Sequence, residues 1–332
     1  MADVTGIDSG TDMPSGGDGA GLGLAVVVPC YNEAAGLERA YLELAREVAR
    51  YDAELLFVDD GSTDETLALI KRIADTDPRV KYLSFSRNFG LEAAFSAGFR
   101  YASKPWIVQL DADLQSPPSE IHRLVDTATT GDYDVVFGVR RNRQDPWIRR
   151  VGSSLQHWVA RQVLGIELPQ GASTFRVIRA SVAKKIVAMR LGTPYFLATV
   201  AQVGGRYTTV ETEHRSRHAG RSRFAVAQLV SNSLDLFFGF SFRPLVFVYL
   251  SAMLAAAGAV TTALLSSGQA AATILAALDV LVLLSLAIIG RYVVGALRQQ
   301  RPRRYLAREA SIDIAPEDLL YEWKRPGVRA AP

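Results

Sequence analysis

The chain has 332 residues, a formal net charge of +3 and one cysteine, Cys30. That length exceeds a single ordinary core and predicts one sizeable α/β domain with an appendage. A single thiol excludes an internal disulfide framework or a cysteine-based metal site, and the arginine clusters at 139–150, 215–223 and 291–304 flank long apolar runs, which favours lipid phosphate or membrane headgroups over nucleic acid.

Residues 1–22 are rich in Gly and Asp, with no basic n-region and no apolar h-region, and are expected to be a disordered leader whose N-terminus stays in the cytoplasm. The run LAVVVP from Leu24 to Pro29 is short and β-branched, which predicts a buried parallel strand. Leu37, Tyr41, Leu44 and Val48 then recur at helical spacing over 34–50. The alternation continues with the strand ELLFVDD, a helix at 64–75, the strand VKYLSFS, a helix at 91–102, the strand WIVQLDAD, a helix at 118–129 and the strand DVVFGVR. This order predicts a doubly wound, mostly parallel, twisted sheet.

Ligands of such sheets bind beyond the carboxyl ends of the strands, and those ends carry Tyr31, Asn32, Glu33, Asp59, Asp60, Arg87, Asp111 and Asp113. Capping and turn formation would account for some of them. Convergence from several strands on one rim points to a site.

Pro244 to Leu265 contains no charged residue, and Ala270 to Ile289 contains only Asp279. Each run approaches the roughly 20 residues that cross a bilayer as a helix, so spans are expected at about 244–265 and 270–290, joined by a short SSGQ turn within a hairpin of 243–297. A buried soluble hairpin is the alternative. Arg243 precedes the first span, and Arg291, Arg298, Arg301, Arg303 and Arg304 follow the second, which puts both hairpin ends on the cytoplasmic side. Asp279 would cost roughly 2.5 to 3.5 kcal/mol at a span centre and is expected to face protein, another subunit or the headgroup boundary. Residues 222–242 suit an interfacial amphipathic helix, with a helix packed on the soluble domain as the alternative, and 298–332 are expected to form a cytoplasmic tail.

Asp111 and Asp113, one residue apart at the end of an apolar strand, are a hard-oxygen pair suited to Mg²⁺ or Mn²⁺ and a diphosphate. In order along the chain, VVVPCYNE, VDDGSTDET, SRNFGLEAAFSAGF and LDADLQSPP resemble the nucleotide-sugar domain of inverting glycosyltransferase family 2. The form DADLQ followed by two prolines, the stretch VRRNRQD, the later HRSRHAGRSRF and the membrane hairpin resemble its polyprenyl-phosphate branch. That branch holds dolichol-phosphate-mannose synthases, bactoprenol glucosyltransferases and the transferase of formamido-arabinose to undecaprenyl phosphate.

The resemblance implies a GT-A type domain over 23–221 and an enzyme that moves one sugar from a nucleotide sugar to polyprenyl phosphate, with a UDP-glucose-like donor expected. A GDP-mannose donor and a catalytically silent membrane scaffold are the alternatives, and a processive polysaccharide synthase is disfavoured by the small number of spans. The resemblance assigns the nucleotide sugar to Pro29, Tyr31, Glu33, Asp60, Arg87, Asp111 and Ala112, and the metal to Asp111, Asp113 and Gln115. The lipid phosphate is expected on Arg140, Arg215, Arg217, Arg221 and Ser222, with a headgroup contact as the other reading of this cluster. Arg140, Arg141 and Arg143 form a second candidate set, with a solvated charge run as its alternative, and catalysis is expected from Asp111, Asp113, Arg215 and Arg217. One departure concerns Gln170, which stands where relatives carry an acidic residue. The expected setting is the inner (cytoplasmic) membrane, multi-pass, with the catalytic domain and both termini cytoplasmic, and a homo-oligomer, a tetramer among the candidate states.

Overall fold

The computed structural model describes residues 21–140, 172–189, 199–200, 203–215, 244–265, 269–300 and 305–320. Nearly all of the expected leader, the expected interfacial helix at 222–242, Arg141, Arg143 and Gln170 lie outside the described residues. Five strands alternating with four helices lead the chain: β1 (Gly23–Cys30), α1 (Ala34–Glu47), β2 (Asp52–Asp59), α2 (Thr66–Thr76), β3 (Val80–Phe85), α3 (Leu91–Tyr101), β4 (Trp106–Gln109), α4 (Ile121–Thr130) and β5 (Val135–Arg140). They are followed by β6 (Ala172–Arg179), α5 (Ala180–Ala188), β7 (Tyr207–Thr212), α6 (Pro244–Leu265), α7 (Gln269–Gln300) and β8 (Ala307–Ala310).

The strands form one sheet of order β7-β5-β6-β4-β1-β2-β3-β8. Side chains alternate across β1, so Val26 and Val28 pack toward Leu37, Leu44, Ile70 and Leu124, while Ala25 and Val27 pack toward Ala94, Phe95, Phe99 and Ile186. Both faces are therefore covered, which is why the central strands read as unbroken apolar runs. Burial of each such side chain contributes about 1.5 to 3 kcal/mol. Helix α3 lies especially close to the sheet, because a Cβ placed on Gly98 would fall 2.1 Å from Cγ1 of Val27.

The parallel centre matches the sequence expectation, and its edges add to it. β6 inserts antiparallel between β4 and β5, β7 pairs parallel with β5, and β8 pairs antiparallel with β3. The expected strand over 106–113 stops at Gln109. Leu110 still donates its N–H to Val27 O at 3.2 Å, and the backbone then turns, with Leu114 at a φ of 51° and its N–H 3.2 Å from Asp111 O. The two carboxylates thus stand on a turn beyond the strand.

α6 and α7 are long and apolar enough to cross a membrane, over Pro244–Thr262 and Ala277–Leu297. Val293, Val294 and Leu297 carry the apolar surface of α7 past Arg291. Tyr249, Met253, Leu254 and Leu283 are exposed, an unfavourable surface in water but a suitable one in lipid. Between the helices, the Oγ atoms of Ser251 and Ser285 are 2.6 Å apart, a small-residue contact typical of helix pairs in bilayers. Asp279 is exposed on α7 among the described residues.

The expected tail at 298–332 is corrected in its middle. Residues 305–320 return to the α/β domain, where β8 closes the β3 edge and Asp318 is fully buried.

Candidate active site

The rim of the sheet is built from two arcs. The first joins the ends of β1 and β2. Asn32, with a φ of 55°, accepts the Thr63 N–H on Oδ1 at 2.8 Å, and its own N–H donates to Ser62 Oγ at 3.0 Å. The N–H of Glu33 donates to Thr66 Oγ1 at 2.9 Å. These bonds satisfy the backbone where α1 begins and fix Tyr31, which is 37% exposed, at the rim. Pro29 is buried within β1, opposite Val58.

Gly61 has a φ of +68°, and a Cβ there would lie 2.3 Å from the carbonyl carbon of Arg87. The absent side chain lets the 86–90 loop approach β2. The carboxylate of Asp60 holds that loop through the N–H groups of Phe89, at 2.6 Å, and Gly90, at 2.9 Å. Burial raises the Asp60 pKa to about 6 despite these two bonds, and neighbouring Asp59 adds to the rise. Asp60 is thus committed to the loop backbone, and Arg87 is exposed with its guanidinium 4.4 Å from the centre of the Phe89 ring.

The second arc is the turn after β4. Oδ2 of Asp111 accepts a 2.6 Å hydrogen bond from the Thr174 hydroxyl on β6, and Oδ1 is buried with no hydrogen-bond partner among the described residues. Burial, and then the charge of Asp113, raise the Asp111 pKa, while the Thr174 bond and the charges of Arg176 and Arg140 oppose the rise. Asp113 accepts the Gln115 N–H at 3.2 Å, closing a local turn that orients its carboxylate. Ala112 is buried between the two acids.

Three residues join this arc that the sequence did not single out. Thr174 and Arg176 come from β6, where Arg176 pairs with Gln109 of β4, is only 3% exposed and sits 5.4 Å from the centre of the Phe137 ring. Their signal was the polar alternation in STFR of an otherwise apolar strand. His214, which opens HRSR, feels the charges of both Arg140 and Asp113; burial first, then Arg140, lowers its pKa.

Arg140 is exposed at the end of β5. Arg215 donates its backbone N–H to Gln115 O at 2.8 Å, which ties the segment after β7 to the acidic turn, but its guanidinium pairs with Glu43 of α1 at 2.6 Å. A lipid phosphate would have to compete with Glu43 for it. Arg217, Arg221 and Ser222 lie outside the described residues. Cys30 is buried and its pKa is pushed well above the usual thiol range by burial, which argues against thiolate chemistry.

Among the described residues no group of three or more His, Cys, Asp or Glu forms a ready metal cage. What the turn offers is a pair of carboxylates, one oxygen of which is buried and unpartnered. That donor set fits Mg²⁺ or Mn²⁺, which bind through few protein carboxylates and complete their shells with water and substrate phosphate.

Residues 25–187 match the model of glycosyl transferase family 2. An uncharacterized glycosyltransferase of Synechocystis is 33% identical over 235 residues, which cover 70% of this chain and 74% of that protein. The putative glycosyltransferase CsbB of Bacillus subtilis is 30% identical over 306 residues, 87% of this chain and 92% of that protein. An undecaprenyl-phosphate 4-deoxy-4-formamido-L-arabinose transferase of Pseudomonas fluorescens is 34% identical over 218 residues, 64% of this chain and 63% of that protein.

Proposed function

The chain belongs to glycosyltransferase family 2, and from that premise we propose that it transfers a single sugar from a nucleotide sugar to polyprenyl phosphate at the cytoplasmic face of the inner membrane. The observation that carries the reading is the acidic turn, where Thr174 occupies one oxygen of Asp111 and leaves the other buried with no partner among the described residues. The acceptor assignment draws on the two apolar helices of this chain and on the relative that acts on undecaprenyl phosphate. A UDP-glucose-like donor is the favoured choice, with GDP-mannose as the alternative.

In this reading Asp111, Asp113 and Gln115 hold a divalent cation together with the donor diphosphate. When bound, the cation neutralises charge on the leaving nucleoside diphosphate. Tyr31 and Glu33 border the nucleoside, and Asp60 acts from behind them by fixing the loop that presents Arg87. Arg140, Arg215, Arg217, Arg221 and Ser222 receive the lipid phosphate, for which guanidinium forks are well suited.

A lipid phosphate is an anion at neutral pH and needs no general base to attack the anomeric carbon. The protein orients it in line with the leaving group, so the product has inverted configuration. The catalytic domain and both termini are cytoplasmic, and the exposed Asp279 on α7 suits a contact in a homo-oligomer. The test is mass spectrometry, with NMR of the anomeric centre for its configuration, of lipid extracted from membranes supplied separately with UDP-glucose, UDP-N-acetylglucosamine and GDP-mannose. One donor should yield a glycosylated undecaprenyl phosphate of inverted configuration. A retained configuration, or no new lipid from any donor, would contradict the proposal.

A further inference from the structure

The segment after the second apolar helix ends up beside the donor side of the rim. Shortly past the end of α7 at Gln300, Tyr305 is 4% exposed and stacks on Phe85, with ring centres 5.0 Å apart and planes at 13°. Phe85 in turn meets Phe89 edge-on at 5.7 Å. The N–H of Ser86 donates to Leu306 O at 2.9 Å, where the 86–90 loop leaves β3. Phe89 then donates its N–H to Asp60 and lies under the Arg87 guanidinium.

The segment is anchored independently of this stack. β8 pairs with β3, Glu309 bridges to Lys71 at 2.5 Å, and the buried Asp318 receives Arg100 Nε at 3.0 Å and the hydroxyl of Tyr101. Aromatic pairs of this kind add to simple burial and fix ring orientation. An anchored strand therefore holds one ring against another whose neighbour sits in the Arg87 loop.

We infer that Tyr305 is a positioning residue for donor binding, acting through Phe85 and Phe89 on the 86–90 loop. The inference rests on the proposed reading that Arg87 borders the nucleotide sugar. It makes residues 305–320 a working part of the transferase domain and joins the end of the membrane hairpin to the donor side of the site.

The experiment uses the full chain in detergent micelles and compares wild type with Tyr305→Ala, Tyr305→Leu and Tyr305→Phe. Hydrogen exchange is followed over Ser86–Gly90, and binding of UDP, GDP, CDP and dTDP is measured with Mn²⁺. The Ala and Leu variants should exchange at least tenfold faster at Ser86–Gly90, with β1 and β2 unchanged, and should bind the preferred nucleotide at least fivefold more weakly. Tyr305→Phe keeps the stack and should match wild type in both.

Unchanged exchange at Ser86–Gly90, or a Phe variant as impaired as the Ala variant, would overturn the inference whatever the donor is. Faster exchange with unchanged nucleotide affinity would overturn the positioning role and remove the Arg87 loop from the donor site. Failure of the wild type to bind any of the four nucleotides would overturn the functional reading and this inference with it.

Discussion

The hydroxyl of Thr174 lies 2.6 Å from Oδ2 of Asp111, so a side chain on β6 fixes the acidic turn after β4, and the remaining oxygen is buried with no partner among the described residues. Groups that orient a metal-binding carboxylate typically contribute about 10- to 100-fold in metal affinity. Thr174→Val should therefore raise the Mn²⁺ concentration needed for half-maximal transfer by about that factor, and Thr174→Ser should restore it. Direct Mn²⁺ binding, read by electron paramagnetic resonance, should shift in parallel.

Gly61 permits the contact between the end of β2 and the Arg87 loop. Gly61→Ala places a Cβ 2.3 Å from backbone carbon at a φ of +68°, and the left-handed backbone alone costs roughly 1 to 2 kcal/mol. With the clash added, a loss of about 2 to 4 kcal/mol is expected. It should appear as a lowered melting temperature together with weaker nucleotide binding.

Asp77 contributes pH-dependent stability in the acid range. Hydrogen bonds from Arg79, with help from Tyr41, hold its pKa down to about 2. A depressed folded pKa gives stability that is present above the ordinary carboxylate pKa near 4 and lost as pH falls toward 2. Because Arg79 is 37% exposed, the contribution is discounted for solvent screening to about 1 to 2 kcal/mol. Asp77→Asn should flatten the stability profile between pH 4 and 2, measured by thermal melting.

Asp60 acts in the opposite sense. Its folded pKa is raised to about 6, chiefly by burial, so its contribution is fully present below about pH 4 and is lost as pH rises through 6. Melting temperature should fall across that window, and Asp60→Asn should remove this part of the slope. The same substitution should loosen the loop, because an amide cannot accept both the Phe89 and Gly90 N–H groups through its nitrogen end.

The central strands were legible because strands covered on both faces need unbroken apolar runs, as in β1 and β2. β7 and β8 were not. Their sequences YTTVET and AREA carry little apolar signal, and strand formation at a sheet edge depends on the neighbour that supplies hydrogen bonds. The acidic turn was visible as a motif, although its strand was expected to run through Asp113 and ends at Gln109. The link from Asp111 to Thr174 was hidden because only the insertion of β6 beside β4 brings those two residues together. Asp60 was legible as a rim carboxylate, yet its commitment to the Phe89 and Gly90 amides depends on a loop from another strand.

The central claim is tested most directly with purified full-length protein, undecaprenyl phosphate and radiolabelled UDP-glucose, UDP-N-acetylglucosamine or GDP-mannose, in Mn²⁺ or in EDTA, for wild type and Asp113→Asn. One donor should place label in the organic phase with the wild type in Mn²⁺, and both EDTA and the substitution should reduce that transfer by at least about 100-fold. Transfer that survives both, or no transfer from any donor, would contradict the account.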